Sequence, residues 1–260
     1  MRLPFFKMSG AGNDFVLLNG LPKGRSGAAL ARRLCDRRRG IGADGLLVLA
    51  RKGGHTRLDY WNADGSAAFC GNGSRCAAIW AAAQGLAKGK RFSLDTSEGI
   101  LDVQLTSPGR AEVGMPKPRE IRLRLRPAIS NRVIIAHTVN TGVPHAVVLV
   151  PDIEKVDVRT LGRTLRFHKI FGKAGANIDF VEVRGGELLL RTYERGVEDE
   201  TLACGTGVIA AAAVARALGK AGDRVKVRVR GGDVLHVSFS AGETRLEGPG
   251  EITFQGEVSI

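Results

Sequence analysis

Two cysteines stand in the same local pattern in distant parts of the chain. Cys70 begins the sequence Cys-Gly-Asn-Gly and Cys204 begins Cys-Gly-Thr-Gly, and an alanine-rich segment follows each within a few residues. The alanines predict a helix, so each thiol is expected at a helix N-terminus, where open backbone N–H groups and aligned peptide dipoles favour negative charge. A cysteine in this position has a lowered pKa and is more often a thiolate, the form that removes protons. The alternative is a tight strand-to-helix turn that contains a small buried residue.

The two cysteine motifs belong to a longer internal repeat. Several segments of the first half recur in the same order, and at a nearly constant separation, in the second half. The matched pairs are Gly12–Leu17 with Gly142–Val147, Gly42–Asp44 with Gly175–Asn177, Cys70–Gly73 with Cys204–Gly207, and Gly99–Leu105 with Asp233–Phe239. One such match could arise by chance, but collinear matches indicate a duplicated unit. The two thiols therefore occupy equivalent positions in two copies.

Each copy has the pattern of an α+β unit. Short alternating segments bounded by glycine turns predict strands, and the alanine-rich segment predicts one central helix. We expect two similar domains, each a mixed or antiparallel sheet wrapped around its central helix, with the active-site cleft between them. Because Pro116 and Pro118 interrupt the pattern, the N-terminal domain is predicted at residues 1–118, completed by a C-terminal strand at 250–260, and the C-terminal domain at 119–249.

Equivalent thiols in a duplicated fold suit a symmetric reaction. Inverting a carbon centre requires one group that removes a proton from one face and a second group that delivers a proton to the other face. Cys70 and Cys204 can supply these two groups without a cofactor and without a metal ion. Because the α-proton of an amino acid is very weakly acidic, the two helix N-termini are also expected to stabilise the charge that develops on the substrate. The sequence therefore predicts a cofactor-independent amino-acid epimerase.

Polar residues beside the repeated glycine turns are candidates for supporting roles, because binding residues concentrate at strand ends and in loops. His145 could relay the proton of one thiol and Glu194 that of the other, although a single histidine at the start of an apolar strand is more often structural. Cys35 and Cys76 are expected to pack in the core. The candidate substrate-binding residues are Asn13, Asn62, Asn177, Glu194 and Arg195.

The bulk composition narrows the class of protein further. The chain has 260 residues, of which 43% are hydrophobic and 25% are charged, as in ordinary globular proteins. The formal net charge of +13 is spread along the chain and is interpreted as a basic surface rather than a nucleic-acid or membrane-binding patch. The four cysteines include no Cys-x-x-Cys pair, which indicates reduced thiols. These features predict a cytoplasmic protein that acts on a small molecule and binds neither nucleic acid nor membrane.

The motifs resemble those of the diaminopimelate epimerase family over essentially the whole chain. The resemblance implies an enzyme, independent of pyridoxal phosphate, that interconverts LL- and meso-diaminopimelate on the route to lysine and peptidoglycan. It also implies a homodimer with two similar domains in each chain. The segments that carry the resemblance are Met8–Val16, Gly40–Gly45, Asn62–Ser66, Cys70–Cys76, Gly142–His145, Glu194–Gly196 and Glu200–Gly207.

The resemblance further implies a role for each matched residue. Cys70 and Cys204 would be the acid and the base, assisted by His145 and Glu194. The substrate-binding residues would be Asn13, Asn62, Asn177, Glu194 and Arg195, and the reacting carboxylate and amine would be held by Gly71, Asn72, Gly205 and Thr206.

Two positions depart from the family pattern. Many members have Gln where this chain has Gly45 and Asn where it has Val143, so both side-chain contacts with the substrate are expected to be lost or replaced. Asn140, shortly before Val143, is a candidate for supplying the missing amide. These departures concern the choice of substrate rather than the type of reaction.

Three other functions are compatible with the residues alone. A racemase of proline, hydroxyproline or a histidine-like substrate on the same scaffold would be distinguished by a substrate panel. A duplicated small-molecule or nucleic-acid binding protein would keep its binding after loss of both thiols. A thiol redox protein would form a reversible Cys70–Cys204 disulfide during turnover, whereas in an epimerase that disulfide would be an inactive form.

Overall fold

The chain forms two units, each of which contains a β-sheet and two α-helices. The computed structural model describes residues 1–52, 55–129 and 132–260. Unit 1 comprises Met1–Gly114 together with Glu247–Ile260, and unit 2 comprises Met115–Leu246. The C-terminal segment of the chain therefore belongs to the unit that the N-terminal half forms.

Both halves contain the series strand, strand, helix, strand, strand, helix, which starts at Arg2 in the first half and at Ala136 in the second, where a 3₁₀ turn and a short strand are added to it. The first half contains β1 (Arg2–Gly10), β2 (Asn13–Asn19), α1 (Gly27–Leu34), β3 (Gly45–Lys52), β4 (His55–Asn62), α2 (Gly71–Ala83), β5 (Arg91–Thr96), β6 (Gly99–Ser107) and β7 (Arg110–Met115). The second half contains β8 (Arg119–Leu125), β9 (Ala128–Ile129), β10 (Arg132–Val133), β11 (Ala136–Asn140), β12 (Pro144–Leu149), α3 (Val158–Arg166), a 3₁₀ turn (Lys169–Phe171), β13 (Asn177–Arg184), β14 (Glu187–Glu194), β15 (Asp199–Thr201), α4 (Gly205–Ala217), β16 (Arg224–Val229), β17 (Val234–Ser240), β18 (Glu243–Pro249) and β19 (Glu251–Ser259).

The strands pair in the same order in both units. In unit 1, β1 and β2 are antiparallel, β2 and β3 parallel, β3 and β4 antiparallel, β4 and β5 parallel, and β5 and β6 antiparallel. In unit 2 the same alternation joins β11, β12, β13, β14, β16 and β17. Each parallel pair needs a crossover connection, and a helix supplies it: α1 and α2 in unit 1, α3 and α4 in unit 2. The predicted α+β class with two similar domains is confirmed.

The remaining strands extend these sheets. β19 pairs antiparallel with β1, which ties the end of the chain to its beginning. In unit 2, β8 pairs with β11 and the short β15 pairs with β14, while β9 and β10 pair with each other.

The helices α2 and α4 lie at the centre of their units. In α2, Gly71–Ala78 are all buried, as are Gly207–Ala215 in α4. α2 contacts β1, β2, β3, β4, β6 and β19, and α4 contacts β11, β12, β13, β14, β16 and β17. Strands can surround a helix in this way because alanine is small and a helix that is apolar on all sides is stable only when buried. Cys70 and Cys204 directly precede α2 and α4, so each lies at the N-terminal end of a buried central helix.

The outer helices cover the other faces of the sheets. In unit 1, Leu30 and Leu34 of α1 pack in one cluster with Val16 and Leu18. Successive strand residues point to opposite faces, so the equally buried Phe15 faces the central helix instead. α3 forms the corresponding cluster in unit 2. None of the helices in the described residues combines the length and the apolar character needed to span a membrane.

Candidate active site

Cys70 caps the N-terminus of α2. Its backbone is extended and its sulfur accepts a hydrogen bond from the Gly73 N–H group at 3.4 Å, as an N-cap side chain does. The sulfur also lies 3.6 Å from Asn13 Oδ1, to which a protonated thiol donates. Because Cys70 is only partly buried and stands at the positive end of the helix dipole, it is well placed to exchange a proton with a ligand.

Asn13 connects Cys70 to the first turn of α2. Its Oδ1 accepts from Asn72 Nδ2 at 3.3 Å as well as from Cys70, and its Nδ2 donates to Asp44 Oδ2 at 2.6 Å. These partners fix which end of the amide carries the oxygen. An amide nitrogen has two N–H groups, so the second N–H of Asn13 can donate to a ligand.

A network of charged residues holds Asp44 in place. Arg37 donates to Asp44 Oδ1 and to Asp14 Oδ1, each at 2.7 Å, and Lys7 donates to Asp14 and to the Gly42 carbonyl. Burial by itself would raise the pKa of Asp14, but the hydrogen bonds and charges of Arg37 and Lys7 outweigh it and lower the pKa to about 2. Sequence reasoning did not single out Asp44 as an orienting residue.

Asp14 is expected to make the protein sensitive to acid. Its folded pKa lies below its unfolded value of 3.8, so its stabilisation is complete above the unfolded pKa and is lost as the pH falls towards about 2. We expect Asp14→Asn to lower the free energy of unfolding by about 2 kcal/mol near neutral pH. The difference from wild type, measured by urea unfolding, should shrink as the pH falls through this range. A difference that stays constant down to the folded pKa would show that Asp14 is not held as a carboxylate by its cations.

Asn62 lies at the end of β4 and is oriented by its own neighbours. Tyr60 Oη donates to Asn62 Oδ1 at 2.8 Å, and Asn62 Nδ2 donates to Ser66 Oγ at 3.0 Å. Gly45 is the cross-strand partner of Asn62, and a Cβ atom there would lie 2.3 Å from Tyr60 Cε2. The Tyr60 ring therefore fills the space that a side chain at position 45 would need. A glutamine at position 45 would therefore have to displace the Tyr60 ring.

Gly45→Gln is expected to displace the Tyr60 ring and release the Asn62 amide. If Asn62 binds the substrate, KM should rise about tenfold while kcat changes less. The lost contact would stabilise the bound substrate and the transition state equally, so its loss weakens binding without raising the barrier from the bound state. Tyr60→Phe keeps the ring and removes only the hydroxyl, so its rise in KM should be smaller. Steady-state kinetics of both variants test this, and an unchanged KM in Gly45→Gln would contradict the role of Tyr60.

Cys204 occupies the N-cap position of α4, as Cys70 does in α2, but no capping hydrogen bond to its sulfur is formed among the described residues, and its environment is more enclosed and more negative. Its side chain is buried, and its sulfur lies 3.4 Å from Thr206 Oγ1. Burial raises the pKa of the Cys204 thiol, and the negative charges of Glu194 and Asp179 raise it further, against the hydrogen bond with Thr206. The lowered pKa expected at a helix start is therefore wrong for Cys204, because desolvation and two carboxylates outweigh the helix dipole.

His145 is fully buried between Asp179 and Thr206. Its Nδ1 lies 2.7 Å from Asp179 Oδ2, and since a carboxylate only accepts, Nδ1 carries the proton. Nε2 then accepts from Thr206 Oγ1 at 3.0 Å. Asp179 Oδ1 in turn accepts from Thr192 Oγ1 at 2.8 Å. Asp179, His145 and Thr206 thus form a chain of hydrogen bonds that reaches the sulfur of Cys204.

Gly207 allows the Asp179 carboxylate to approach α4. A Cβ atom at Gly207 would lie 2.7 Å from Asp179 Oδ1 and 3.2 Å from Thr192 Oγ1. Sequence reasoning missed both Asp179 and Thr192. The signal that could have found Asp179 is its spacing from Asn177, because residues two apart on a strand point to the same face.

Asn177, Glu194 and Arg195 lie together near the ends of β13 and β14. Asn177 Oδ1 accepts from the Arg195 backbone N–H at 2.7 Å, and its Nδ2 donates to the Pro144 carbonyl at 3.2 Å. Glu194 Oε2 accepts from Thr201 Oγ1 at 2.8 Å. In the described part of the chain the Arg195 guanidinium forms no ion pair, which leaves its charge available to an anionic ligand.

The first turns of α2 and α4 present backbone N–H groups. The first N–H groups of a helix have no acceptor within it. Gly71 and Asn72 open α2, and Gly205 and Thr206 open α4. The side chains of Asn72 and Thr206 are already hydrogen-bonded within their own units. A carboxylate bound at either helix start would therefore meet backbone N–H groups first.

The predicted site residues form one group in each unit. Unit 1 brings together Cys70, Asn13 and Asn72, while Asn62 contacts Tyr60 and Ser66 instead. The group in unit 2 consists of Cys204, Thr206, His145 and Asn177, with Glu194 and Arg195 beside them.

The two remaining cysteines are unsuited to acid–base chemistry. Cys35 and Cys76 are both buried, and burial raises the pKa of each to about 12. Neither is a thiolate near neutral pH. Cys35 also packs in the core cluster under α1, as the sequence predicted.

The same fold occurs in solved structures. A phenazine biosynthesis protein of the PhzF family from Bacillus anthracis aligns with a TM-score of 0.77 and 13% identity over 100% of both chains. A probable proline racemase from Agrobacterium radiobacter K84, solved with bound carbonate, aligns with a TM-score of 0.74 and 17% identity over 99% of this chain and 93% of that one. At these identities the likeness shows the fold alone. The chain is therefore a duplicated α+β protein with the fold of these structures, and it has a cysteine at each central helix start.

Sequence comparison places the chain within this class. The family model for diaminopimelate epimerase matches residues 5–121 and 137–252. The diaminopimelate epimerase of Methanocella arvoryzae is 41% identical over 277 aligned residues, which cover 100% of this chain and 98% of the relative. The chain belongs to the diaminopimelate epimerase family.

Proposed function

We propose that the protein interconverts LL- and meso-diaminopimelate, with Cys70 and Cys204 acting on opposite faces of one Cα atom. The observation that carries this proposal is the duplicated cysteine: a cysteine occupies the N-cap position of each central helix in a chain of the diaminopimelate epimerase family. A one-base or binding-only protein would not need to preserve a thiol at both positions. The enzyme class is an isomerase that acts on a small amino acid.

The reaction requires a proton to leave Cα on one face and another to arrive on the opposite face. The thiolate forms an S–H bond with the α-proton, and the C–H electron pair stays on the substrate as a carbanion conjugated with its carboxylate. The thiol on the other face then protonates that carbon and becomes the thiolate. Protons and electrons balance within the pair, so the step requires no redox partner. The N–H groups at the starts of α2 and α4 would stabilise the negative charge during the step.

His145 and Glu194 are assigned as assisting residues. The Cys204 thiol can donate to Thr206 Oγ1, whose own proton points to His145 Nε2, so the contacts run in one direction from sulfur to imidazole. Glu194 acts on Cys204 through its charge, which favours the protonated thiol. The charge of Glu194 suits a group that must hold a proton until a carbanion forms beside it, whereas the contact with Thr206 lowers the pKa of the Cys204 thiol and gives its proton a path towards His145.

The remaining polar residues are assigned to substrate binding. Diaminopimelate carries a second amino-acid end, which offers an ammonium and a carboxylate away from the reacting carbon. Amide oxygens accept from an ammonium, and a guanidinium binds a carboxylate through charge-assisted hydrogen bonds. Asn13, Asn62 and Asn177 supply the amides, and Arg195 supplies a guanidinium without an ion pair in the described residues.

We also propose a cytoplasmic homodimer that binds neither nucleic acid nor membrane. Three observations support this proposal: the cysteines are free, the positive charge is dispersed along the sequence, and the resemblance to the family implies a dimer. Light scattering at several protein concentrations tests the oligomeric state. Retention on an anionic vesicle or a duplex DNA at physiological salt would contradict the assignment of the partners.

A substrate panel tests the proposed activity. The purified full-length protein is incubated without pyridoxal phosphate but with reductant, separately with LL-diaminopimelate, L-proline, trans-4-hydroxyproline and L-histidine. The proposal predicts formation of meso-diaminopimelate and no inversion of the other three. Inversion of proline or hydroxyproline alone would assign a different racemase. If the wild-type protein inverts none of these substrates, and a variant that lacks both thiols binds its ligand as tightly as the wild type does, the protein is a binding protein.

A further inference from the structure

Arg75 is a fully buried cation in the second turn of α2. Its side chain is among the largest that are completely buried. The guanidinium donates to Asn72 Oδ1 at 2.9 Å and to the carbonyls of Gly71 and Pro249, each at 3.5 Å. All three acceptors are neutral. Because arginine keeps its proton in proteins and a buried charge without a counter-ion is costly, the location calls for a negative group nearby.

The carboxylate whose charge acts on Arg75 is that of Glu247, which forms no ion pair with it among the described residues. Glu247 accepts from Arg110 through both carboxylate oxygens, and Glu251 is exposed to solvent. Cys76 is the next residue of α2, and burial keeps it protonated because its pKa rises to about 12. Among the described residues, no carboxylate lies within ion-pair distance of Arg75.

Cys70 is connected to Arg75 by two short routes. Gly71, whose carbonyl accepts from the guanidinium, is the residue next to Cys70. Asn72, which accepts from the same guanidinium, donates to Asn13 Oδ1, the oxygen that accepts from Cys70 when its thiol is protonated. Formation of the thiolate gives up this one donation. The sulfur further accepts from the Gly73 N–H group, and a thiolate is the better acceptor.

The second unit lacks this cation. In the internal repeat, Arg75 corresponds to Ile209, which is also fully buried. Cys204 instead has the carboxylates of Glu194 and Asp179 as its charged neighbours. The two thiols are therefore equivalent in position and opposite in electrostatic environment.

We propose that Arg75 stabilises the thiolate form of Cys70, so that the resting protein carries its negative charge on Cys70 and its proton on Cys204. Arg75 is then a positioning residue, because it determines which of the two cysteines holds the proton in the resting protein. The proposal rests on the proposed function, in which these two thiols are the acid and the base. The alternative role for Arg75 is structural, as a tie between α2 and the Pro249 carbonyl.

Alkylation of the folded full-length protein as a function of pH distinguishes these roles. Each sample is treated briefly with iodoacetamide in the absence of substrate, and modification of each cysteine is quantified by peptide mass spectrometry. In wild type, the pH midpoint of Cys70 alkylation should lie at least about one unit below that of Cys204. The midpoint reports the thiolate fraction, whereas accessibility changes only the limiting rate.

Arg75→Gln removes the charge and keeps a donor for Asn72 Oδ1. We expect it to raise the pH midpoint of Cys70 alkylation by about one unit, which makes alkylation of Cys70 about tenfold slower near neutral pH. The midpoint of Cys204 alkylation should not change. Arg57→Gln is the matched control, because Arg57 is a partly buried cation of the same unit that is paired with Asp59 and Asp95. It should shift neither thiol.

Two results would overturn the proposal. One is a folded Arg75→Gln protein with an unchanged Cys70 midpoint, which would leave Arg75 a structural tie. The other, which requires no variant to fold, is a wild-type midpoint of Cys70 equal to or above that of Cys204. Neither measurement depends on turnover. If the protein is an active epimerase and its two thiols have the same alkylation midpoint, only the role of Arg75 is refuted. If the Cys70 midpoint lies below that of Cys204 but the protein is inactive, only the proposed function is refuted.

Discussion

Replacing Cys70 or Cys204 with alanine is expected to lower kcat for epimerisation about a hundredfold to ten-thousandfold, the range that a positioned acid or base contributes. Each thiol is the group assigned to its face of Cα, so no other side chain of its unit can take over. KM should change less, because the amides and the guanidinium that bind the substrate are intact. Steady-state assays from LL- and from meso-diaminopimelate measure the effect in both directions.

The two alanine variants should also differ from each other. Cys204→Ala retains the thiol that we infer to be the resting thiolate, so it should still exchange the α-proton of one stereoisomer without inverting it. Cys76→Ala is the matched control, because it removes a buried thiol from α2 whose pKa of about 12 prevents acid–base chemistry. If both alanine variants retain full epimerisation while remaining folded, a two-thiol mechanism is excluded.

Asp179→Asn is expected to lower kcat about a hundredfold or more while leaving the fold intact. The carboxylate accepts from His145 Nδ1, whereas an amide nitrogen in its place would donate and reverse the imidazole tautomer. His145 Nε2 would then carry the proton and could no longer accept from Thr206 Oγ1. Loss of a negative charge near Cys204 should also lower the pKa of that thiol.

Kinetics and alkylation together test the role of Asp179. Glu182→Gln is the matched control, since Glu182 lies on the same strand and is paired with Arg184. It should change stability more than kcat. A kcat for Asp179→Asn within a fewfold of wild type would show that the tautomer of His145 does not matter to the reaction.

The reacting groups could be found from the sequence because each lies in a local pattern. Cys70 and Cys204 stand directly before Gly-x-Gly and an alanine-rich helix, so the repeat identified them without any knowledge of tertiary contacts. Asn177 was found from its position beside one of the repeated glycine turns. Helix starts and duplicated turns are encoded by neighbouring residues, and such features are accessible to sequence reasoning.

The groups that tune the thiols could not be found in this way because strand pairing brings them together. Asp179 reaches His145 because β12 and β13 are parallel neighbours, with His145 directly opposite Asn177. Tyr60 meets Gly45 through the pairing of β3 with β4. The raised pKa of Cys204 has the same origin, since the local pattern shows a helix dipole but not the burial or the two carboxylates. Register and burial are tertiary properties that a single sequence specifies only indirectly.

The most direct test of the central claim is epimerisation of LL-diaminopimelate in deuterium oxide, with reductant and without added cofactor. Because the proton delivered to the product face comes from a solvent-exchanged thiol, the account predicts that newly formed meso-diaminopimelate carries one deuterium at the inverted Cα. Inversion that retains the original α-hydrogen would contradict a mechanism in which two thiols exchange their protons with solvent. A protein that neither inverts the substrate nor incorporates deuterium would also contradict it.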